Sequence, residues 1–170
     1  KFKTPIIYSD TDSVFINTNL AKQKANLLGV EIQKYINKFY EELVEKNYNR
    51  KSYLELEFEK QYISLLLPKI RGGEAGSKKR YAGLIEKDGK EEIEITGLEA
   101  IRGDWTDAAQ EFQIQLLDKI FHKEDPIQFI KNYVKKIISG TMNEKLIYRK
   151  SLRKKLDEYT KITPPHVKAA

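Results

Sequence analysis

The chain has 170 residues, 40% of them hydrophobic, which suffices for a folded core and argues against wholesale disorder. It contains no cysteine, which excludes disulfides and thiolate metal sites and fits a reducing compartment. The net charge of +6 is uneven, because eleven basic and three acidic side chains follow residue 130, whereas the preceding part carries a net −2.

The first predicted elements are two strands, at residues 4–9 and 13–17, joined by a turn that contains Asp10, Thr11 and Asp12. Such a hairpin holds two carboxylates at an exposed tip. Neighbouring carboxylates repel each other unless a cation lies beside them, and hard oxygen ligands favour Mg²⁺ or Mn²⁺. The pattern therefore predicts a divalent metal site suited to phosphoryl transfer, with a solvated polar turn as the alternative.

The middle of the chain combines a long helix with several strands. Apolar residues at helical spacing predict the helix, period-two alternation predicts a half-buried strand that exposes Glu57, and Asp88-Gly89 predicts a hairpin turn. The predicted elements are a helix at 20–48, a strand at 53–59, an apolar run at 62–67, a glycine-rich loop at 70–77, and strands at 80–86 and 91–96.

Helices dominate after residue 100. One helix is predicted from Thr106 to His122, with Thr106 or Asp104 as its N-cap, and Trp105 is expected to anchor the core. A second begins at Asp125-Pro126 and ends before Gly140. The predicted apolar face of the first helix consists of Ala109, Phe112, Leu116 and Ile120. This order of elements predicts an α+β fold with a junction near residue 100.

Three motifs resemble those of family B DNA polymerases and occur in the family's order. YSDTDS at residues 8–13 is similar to Y-G-D-T-D-S, with Ser9 in place of Gly. KKRY at residues 78–81 matches K-K-R-Y, and GLEAIRGDW at residues 97–105 resembles G-L-E-x-x-R-x-D-W, with Gly103 where many members have Arg. The bacterial DNA polymerase II branch is the closer match, since IRGGEAGSKKRYAGLI, LIYRKSLRKKLDEY and PPHVKAA all resemble it.

The resemblance implies a fold and residue roles. Residues 1–100 would form the C-terminal half of the polymerase palm, with antiparallel strands and a long helix, and residues 101–170 a mostly helical thumb. Asp12 would be a direct ligand of two catalytic metals, Mg²⁺ or Mn²⁺, and Asp10 a less direct one. The basic residues would hold the primer end, the minor groove and duplex phosphates, although a solvated helix face is the alternative for the thumb residues. The implied DNA contacts are Lys78, Lys79, Arg80, Tyr81, Arg149, Lys150, Arg153, Lys154 and Lys155.

The implied function is DNA-directed DNA polymerisation, in which the primer 3′-hydroxyl attacks the α-phosphate of a deoxynucleoside triphosphate. A pair between Arg102 and Asp104 would fix the thumb on the palm. The implied partners are primer–template DNA, deoxynucleoside triphosphates and a sliding clamp, in the bacterial cytoplasm or nucleoid.

The resemblance also indicates a fragment that lacks the fingers, the first part of the palm with its metal-binding Asp, and the exonuclease. We therefore expect the parent protein to be an enzyme and the isolated chain to be inactive. Two alternatives stay open: a non-catalytic DNA-binding module, and a fragment of a D-x-D glycosyltransferase.

Overall fold

The computed structural model describes residues 2–70, 72–73, 76–152, 154–159 and 164–168. The fold is α+β, as predicted. The strands are β1 (Ile6–Asp10), β2 (Ser13–Ile16), β3 (Ser64–Leu66), β4 (Tyr81–Lys87) and β5 (Lys90–Thr96). The helices are α1 (Lys22–Tyr48), α2 (Asp107–Phe121), α3 (Ile127–Ile138) and α4 (Pro165–Lys168), with 3₁₀ turns at Glu99–Ile101, Asn143–Leu146 and Leu156–Glu158.

The chain divides into two compact units. The first comprises Lys1–Ile63 and Ile85–Glu91, and the second comprises Ser64–Leu84 and Glu92–Ala170. The division into palm and thumb at residue 100 stays a prediction. Among the described residues, none of the helices is long and apolar enough to cross a bilayer.

In the first unit, β1 and β2 form the predicted antiparallel hairpin. Asp10 pairs with Ser13 next to the turn, and a β-bulge shifts the register between Ile6 and Tyr8. The ring of Phe15 packs edge-on against Tyr8, with centroids 5.3 Å apart. Because of this aromatic contact, the hairpin has packing of its own close to the turn.

Helix α1 is the longest element and ends as the sequence predicts. Asn49 adopts the left-handed conformation and donates its N–H to the Glu45 carbonyl at 2.8 Å, a common helix C-cap. Gly29 is buried in the helix, and a side chain there would overlap the ring of Phe58. The helix therefore provides a recess for the segment that follows it.

The prediction of a strand at residues 53–59 is wrong, although burial does alternate from Leu56 to Lys60. The segment is extended but belongs to no sheet among the described residues. Its backbone bonds instead to side chains of α1. Asn37 accepts from the Leu56 N–H at 2.6 Å and donates to its carbonyl at 2.9 Å, while Gln33 accepts from the Phe58 N–H at 2.9 Å. Two amide side chains of α1 thus make the backbone hydrogen bonds that a neighbouring strand would otherwise make.

The second sheet has the strand order β3-β4-β5, with β3 antiparallel to β4. A two-residue turn joins β4 to β5, and both turn residues have positive φ, 52° at Asp88 and 75° at Gly89. These are the residue types that such hairpin turns favour, so the predicted hairpin is confirmed.

Two hydrophobic clusters lie among the described residues of the second unit. The first joins the sheet to α2 and the second joins α2 to α3. Tyr133, in the second cluster, donates its hydroxyl to the Ala108 carbonyl at 2.8 Å, and burial raises the pKa of its phenol. The first cluster consists of Ala82, Leu84, Leu98, Leu117 and Phe121, and the second of Ala108, Tyr133 and Met142.

Helix α2 begins as predicted but buries a different face. Thr106 caps it by accepting the Ala109 N–H at 3.3 Å. Phe121 is 7% exposed and Ile120 is 42% exposed, so the predicted apolar face is rotated by about one residue. The expectation that Trp105 anchors the core is also wrong, because its side chain is 38% exposed. Helix α3 ends before Gly140, as predicted, where φ is 78°.

Candidate functional site

The β1–β2 turn presents the two candidate metal ligands. Asp10 is the half-buried last residue of β1, and Asp12 is exposed in the turn. The Ser13 hydroxyl donates to the Asp10 carbonyl at 3.1 Å, and the Thr11 hydroxyl lies 3.4 Å from Oδ1 of Asp10. These contacts tie the turn to the strand ends and leave the Asp12 carboxylate at the tip.

Thr11 carries backbone strain between the two carboxylates. Its φ is 52°, a left-handed value that is unfavourable for a β-branched residue. Such conformations cost on the order of 1–3 kcal/mol and cluster where a protein needs a defined geometry. The strain therefore falls at the turn for which the sequence predicts metal binding.

The donor chemistry of this turn fits a hard divalent cation, because carboxylate oxygens are the ligands that Mg²⁺ and Mn²⁺ prefer. Within the described ranges, no three His, Cys, Asp or Glu side chains come close enough to hold an ion together. Asp10 and Asp12 could thus supply only part of a coordination sphere. Glu57, which the sequence predicts to be exposed, is indeed exposed on the extended segment after α1.

The KKRY motif lies in the second unit and leads into strand β4. Lys78 and Lys79 are exposed, and Tyr81 is the half-buried first residue of the strand. Lys79 is left-handed, with φ of 56°. Its carbonyl lies directly against Gly97, where any Cβ would overlap it. The glycine that opens the GLEAIRGDW motif thus permits close approach to the KKRY motif.

A polar network joins these two motifs. Arg80 forms an ion pair with Glu99, and Gln113 on α2 donates to the other Glu99 oxygen at 3.1 Å. Gln113 also accepts the Ala100 N–H at 2.6 Å. The hydrogen bond from Gln113, with contributions from Arg80, lowers the pKa of the Glu99 carboxyl. Gln113 was missed in the sequence, since nothing local marks a partner fourteen residues away on another element.

Arg102 and Asp104 form a two-point ion pair. The Arg102 Nε and Nη2 donate to the two Asp104 oxygens at 2.9 and 2.6 Å. This pairing raises the pKa of Arg102 and lowers that of Asp104. Gln110 donates to the Arg102 carbonyl at 2.7 Å, which connects the pair to α2. The pair joins residues close in sequence, and its role at a palm–thumb junction stays a prediction.

The basic segment after α3 is open to solvent. Arg149, Lys150, Lys154 and Lys155 are all exposed, while Arg153 lies outside the described residues. The positive charge of Lys150 contributes to lowering the pKa of Asp104, after the larger effect of the hydrogen bond from Arg102. Because these four basic side chains are exposed, they are accessible to a polyanion.

Comparisons with known proteins all indicate the same protein family. The model of DNA polymerase family B matches residues 1–170. The chain is 40% identical to DNA polymerase II of Escherichia coli over 167 residues, 97% of this chain and 21% of that protein. It is 30% identical to a DNA polymerase of Archaeoglobus fulgidus (97% of this chain, 18% of the relative) and 29% identical to DNA polymerase 2 of Aeropyrum pernix (97% and 17%). The chain spans about a fifth of the length of these curated relatives.

Proposed function

The chain belongs to DNA polymerase family B, and from that premise we propose that it forms part of a DNA-directed DNA polymerase, working on DNA in the bacterial cytoplasm. The reaction is the attack of a primer 3′-hydroxyl on the α-phosphate of a deoxynucleoside triphosphate. One observation carries the proposal: the exposed Asp12 carboxylate at the tip of a tightly bonded hairpin, in a chain matched to this family throughout. Family membership overturns the glycosyltransferase alternative.

Asp12 is proposed as a direct ligand of a divalent cation, Mg²⁺ or Mn²⁺, and Asp10 as a weaker contributor. When bound, two such cations stabilise the entering and leaving oxygens of phosphoryl transfer. The hairpin contributes rigidity, because the Ser13 hydroxyl bonds to the Asp10 carbonyl and the turn has only two residues. A rigid turn holds the carboxylate oxygens where the phosphates arrive, at little entropic cost.

The KKRY residues are proposed to follow the primer strand. Lys78 and Lys79 are exposed and can reach phosphates or the minor-groove acceptors that all correct base pairs share. Arg80 is partly occupied by Glu99, and its side chain remains 40% exposed. We assign to it a double role, as a fixed anchor for the motif and as a cation facing DNA. Tyr81 would brace the sugar–phosphate of the primer end.

The basic segment is proposed to bind duplex phosphates without reading sequence. Four basic side chains there are exposed to solvent, and the charge of Lys150 contributes to lowering the pKa of Asp104. A sliding clamp is a further proposed partner, inferred from the family resemblance alone.

The proposal is tested in a chimera of E. coli DNA polymerase II in which this chain replaces the matching 167-residue region. We expect metal-dependent primer extension, and at least a ~100-fold loss in the Asp12→Asn chimera. Asp88→Asn is the matched control, because Asp88 is also an exposed carboxylate at a hairpin turn. Equal extension by the Asp12→Asn and Asp88→Asn chimeras would refute the role of Asp12.

The 170-residue chain alone is proposed to be inactive, because it spans only about a fifth of the length of its polymerase relatives. A non-catalytic DNA-binding module is the remaining alternative. Electron paramagnetic resonance of Mn²⁺ separates the two: weak binding that survives Asp10→Asn and disappears with Asp12→Asn supports the catalytic assignment. Mn²⁺ binding indifferent to both substitutions supports the alternative, and primer extension by the pure chain would contradict its proposed inactivity.

A further inference from the structure

An open pocket lies at the C-terminal end of α1, in the first unit and apart from the residues assigned above. Its volume is about 790 Å³, and it is lined by Val44, Tyr48, Arg50, Lys51 and Tyr53. Val44 and Tyr48 belong to the last turns of the helix, while the other lining residues follow its end. The pocket thus combines two phenol rings with two basic side chains.

Local backbone chemistry builds this pocket. Asn49 is left-handed and bonds back to the Glu45 carbonyl, so the chain reverses after the helix and returns beside its last turn. The Ser52 hydroxyl accepts the Leu54 N–H at 3.2 Å, which orders the step next to Tyr53. Two short-range hydrogen bonds therefore shape the backbone on either side of Arg50 and Lys51.

The lining side chains are unusually open for their size. Tyr48 is 69% exposed and Tyr53 is 87% exposed. The Lys51 ammonium lies 5.6 Å from the centroid of the Tyr53 ring, on one face, which leaves the opposite face free to stack. Arg50 is exposed and makes no ion pair with any acid in the part of the chain that the structure describes.

We propose that this pocket binds single-stranded nucleic acid. Exposed aromatic faces interleaved with cations are the arrangement by which proteins hold single strands, since bases stack on the rings and phosphates pair with the cations. A peptide partner is disfavoured, because the pocket has one aliphatic side chain, Val44, and no deep apolar recess for an anchor residue.

The proposal is independent of the duplex contacts assigned to the KKRY motif and the basic segment. The pocket would accept an unpaired strand, whose bases are free to stack, and would reject paired DNA, whose bases are already stacked. If the pocket does not bind single-stranded nucleic acid, the polymerase assignment is unaffected. If the polymerase assignment is wrong, binding of single strands at the pocket can still be tested.

The test measures binding of a fluorescent oligothymidylate by anisotropy, beside an abasic oligomer of equal length and a blunt duplex. Tyr53→Ala is expected to raise the Kd for oligothymidylate by about 5- to 150-fold, from a stacking loss of roughly 1–3 kcal/mol. Tyr53→Phe keeps the stacking face and should bind like the parent chain. Arg50→Ala should weaken binding of both single-stranded probes, whereas Lys34→Ala, an equal charge loss on α1 outside the pocket, should not.

A second readout locates the contact. An iodouracil-substituted oligomer should photo-crosslink to the peptide that contains Tyr48 and Tyr53. Equal binding of the abasic oligomer and oligothymidylate, an unchanged Kd in Tyr53→Ala, or crosslinking confined to other peptides would each overturn the proposal. Because Tyr53 is almost fully exposed, its substitution leaves folding intact, and circular dichroism verifies this. If Tyr53→Ala weakened binding of the blunt duplex as much as binding of oligothymidylate, the proposal of a single-strand site would also be contradicted.

Discussion

Replacing Gly97 with Ala should strongly destabilise the second unit. The residue has φ of 63°, and a Cβ there would overlap the Lys79 carbonyl oxygen. A left-handed Ala costs about 1–2 kcal/mol, and forcing two backbone segments apart adds roughly 1–3 kcal/mol. The expected loss in the free energy of unfolding is therefore about 2–5 kcal/mol, the sum of these two costs, together with displacement of the KKRY motif.

Two other glycines of the same unit provide matched controls. Gly72 has φ of 75°, and a methyl group added there would meet nothing within 4 Å, so Gly72→Ala should cost only about 1–2 kcal/mol. Gly103 has neither positive φ nor a close neighbour, so Gly103→Ala should be nearly neutral. Urea unfolding followed by fluorescence of Trp105, the single tryptophan, measures all three. A Gly97→Ala loss no greater than that of Gly72→Ala would refute the close approach.

Three further predictions concern the second unit. The pKa of Glu99 is lowered, so its contribution to stability is present above the ordinary value of 4.5 and is lost as pH falls through the lower folded pKa. Urea unfolding of Glu99→Gln should therefore be less sensitive to acid below pH 4.5 than that of the parent chain, and parallel pH profiles would contradict this. Tyr133→Phe removes the hydrogen bond to the Ala108 carbonyl but keeps the buried ring, so it should cost about 1 kcal/mol in the same assay; no loss would mean that the bond adds nothing. Thr106→Ala removes the cap of α2 and should cost about 1 kcal/mol, with faster amide exchange in the first turn; unchanged exchange would rule out a capping role.

The sequence predicted features that depend on local chemistry. The hairpin at Asp88-Gly89, the cap at Thr106 and the helix end before Gly140 each follow from the conformations of one or two residues. The assignment to family B and to its DNA polymerase II branch is also confirmed, by the family match and the identity to the E. coli enzyme. Motifs fixed by chemistry at short spacing are thus readable without a structure.

Features that depend on distant partners were not predictable. The alternation of apolar and polar residues around Leu56 indicates which side chains are buried. It does not indicate that the backbone of Leu56 bonds to Asn37 on α1 and not to a neighbouring strand. Helix α2 has apolar residues on several sides, so the pattern did not distinguish Ile120 from Phe121 as the buried residue. The bond between Gln113 and Glu99 likewise joins two elements whose proximity only the fold determines.

The most direct test of DNA handling by this chain is anisotropy of labelled primer–template DNA, titrated with salt. The variant with Lys150, Lys154 and Lys155 all changed to Ala is compared with a control in which Lys24, Lys34 and Lys38 on α1 are changed to Ala. Both lose the same charge. If the basic segment binds phosphates, the slope of log K against log salt becomes shallower by up to about 2.7 in the first variant and stays unchanged in the control. Equal slopes in the two variants would contradict a duplex-binding role for the basic segment.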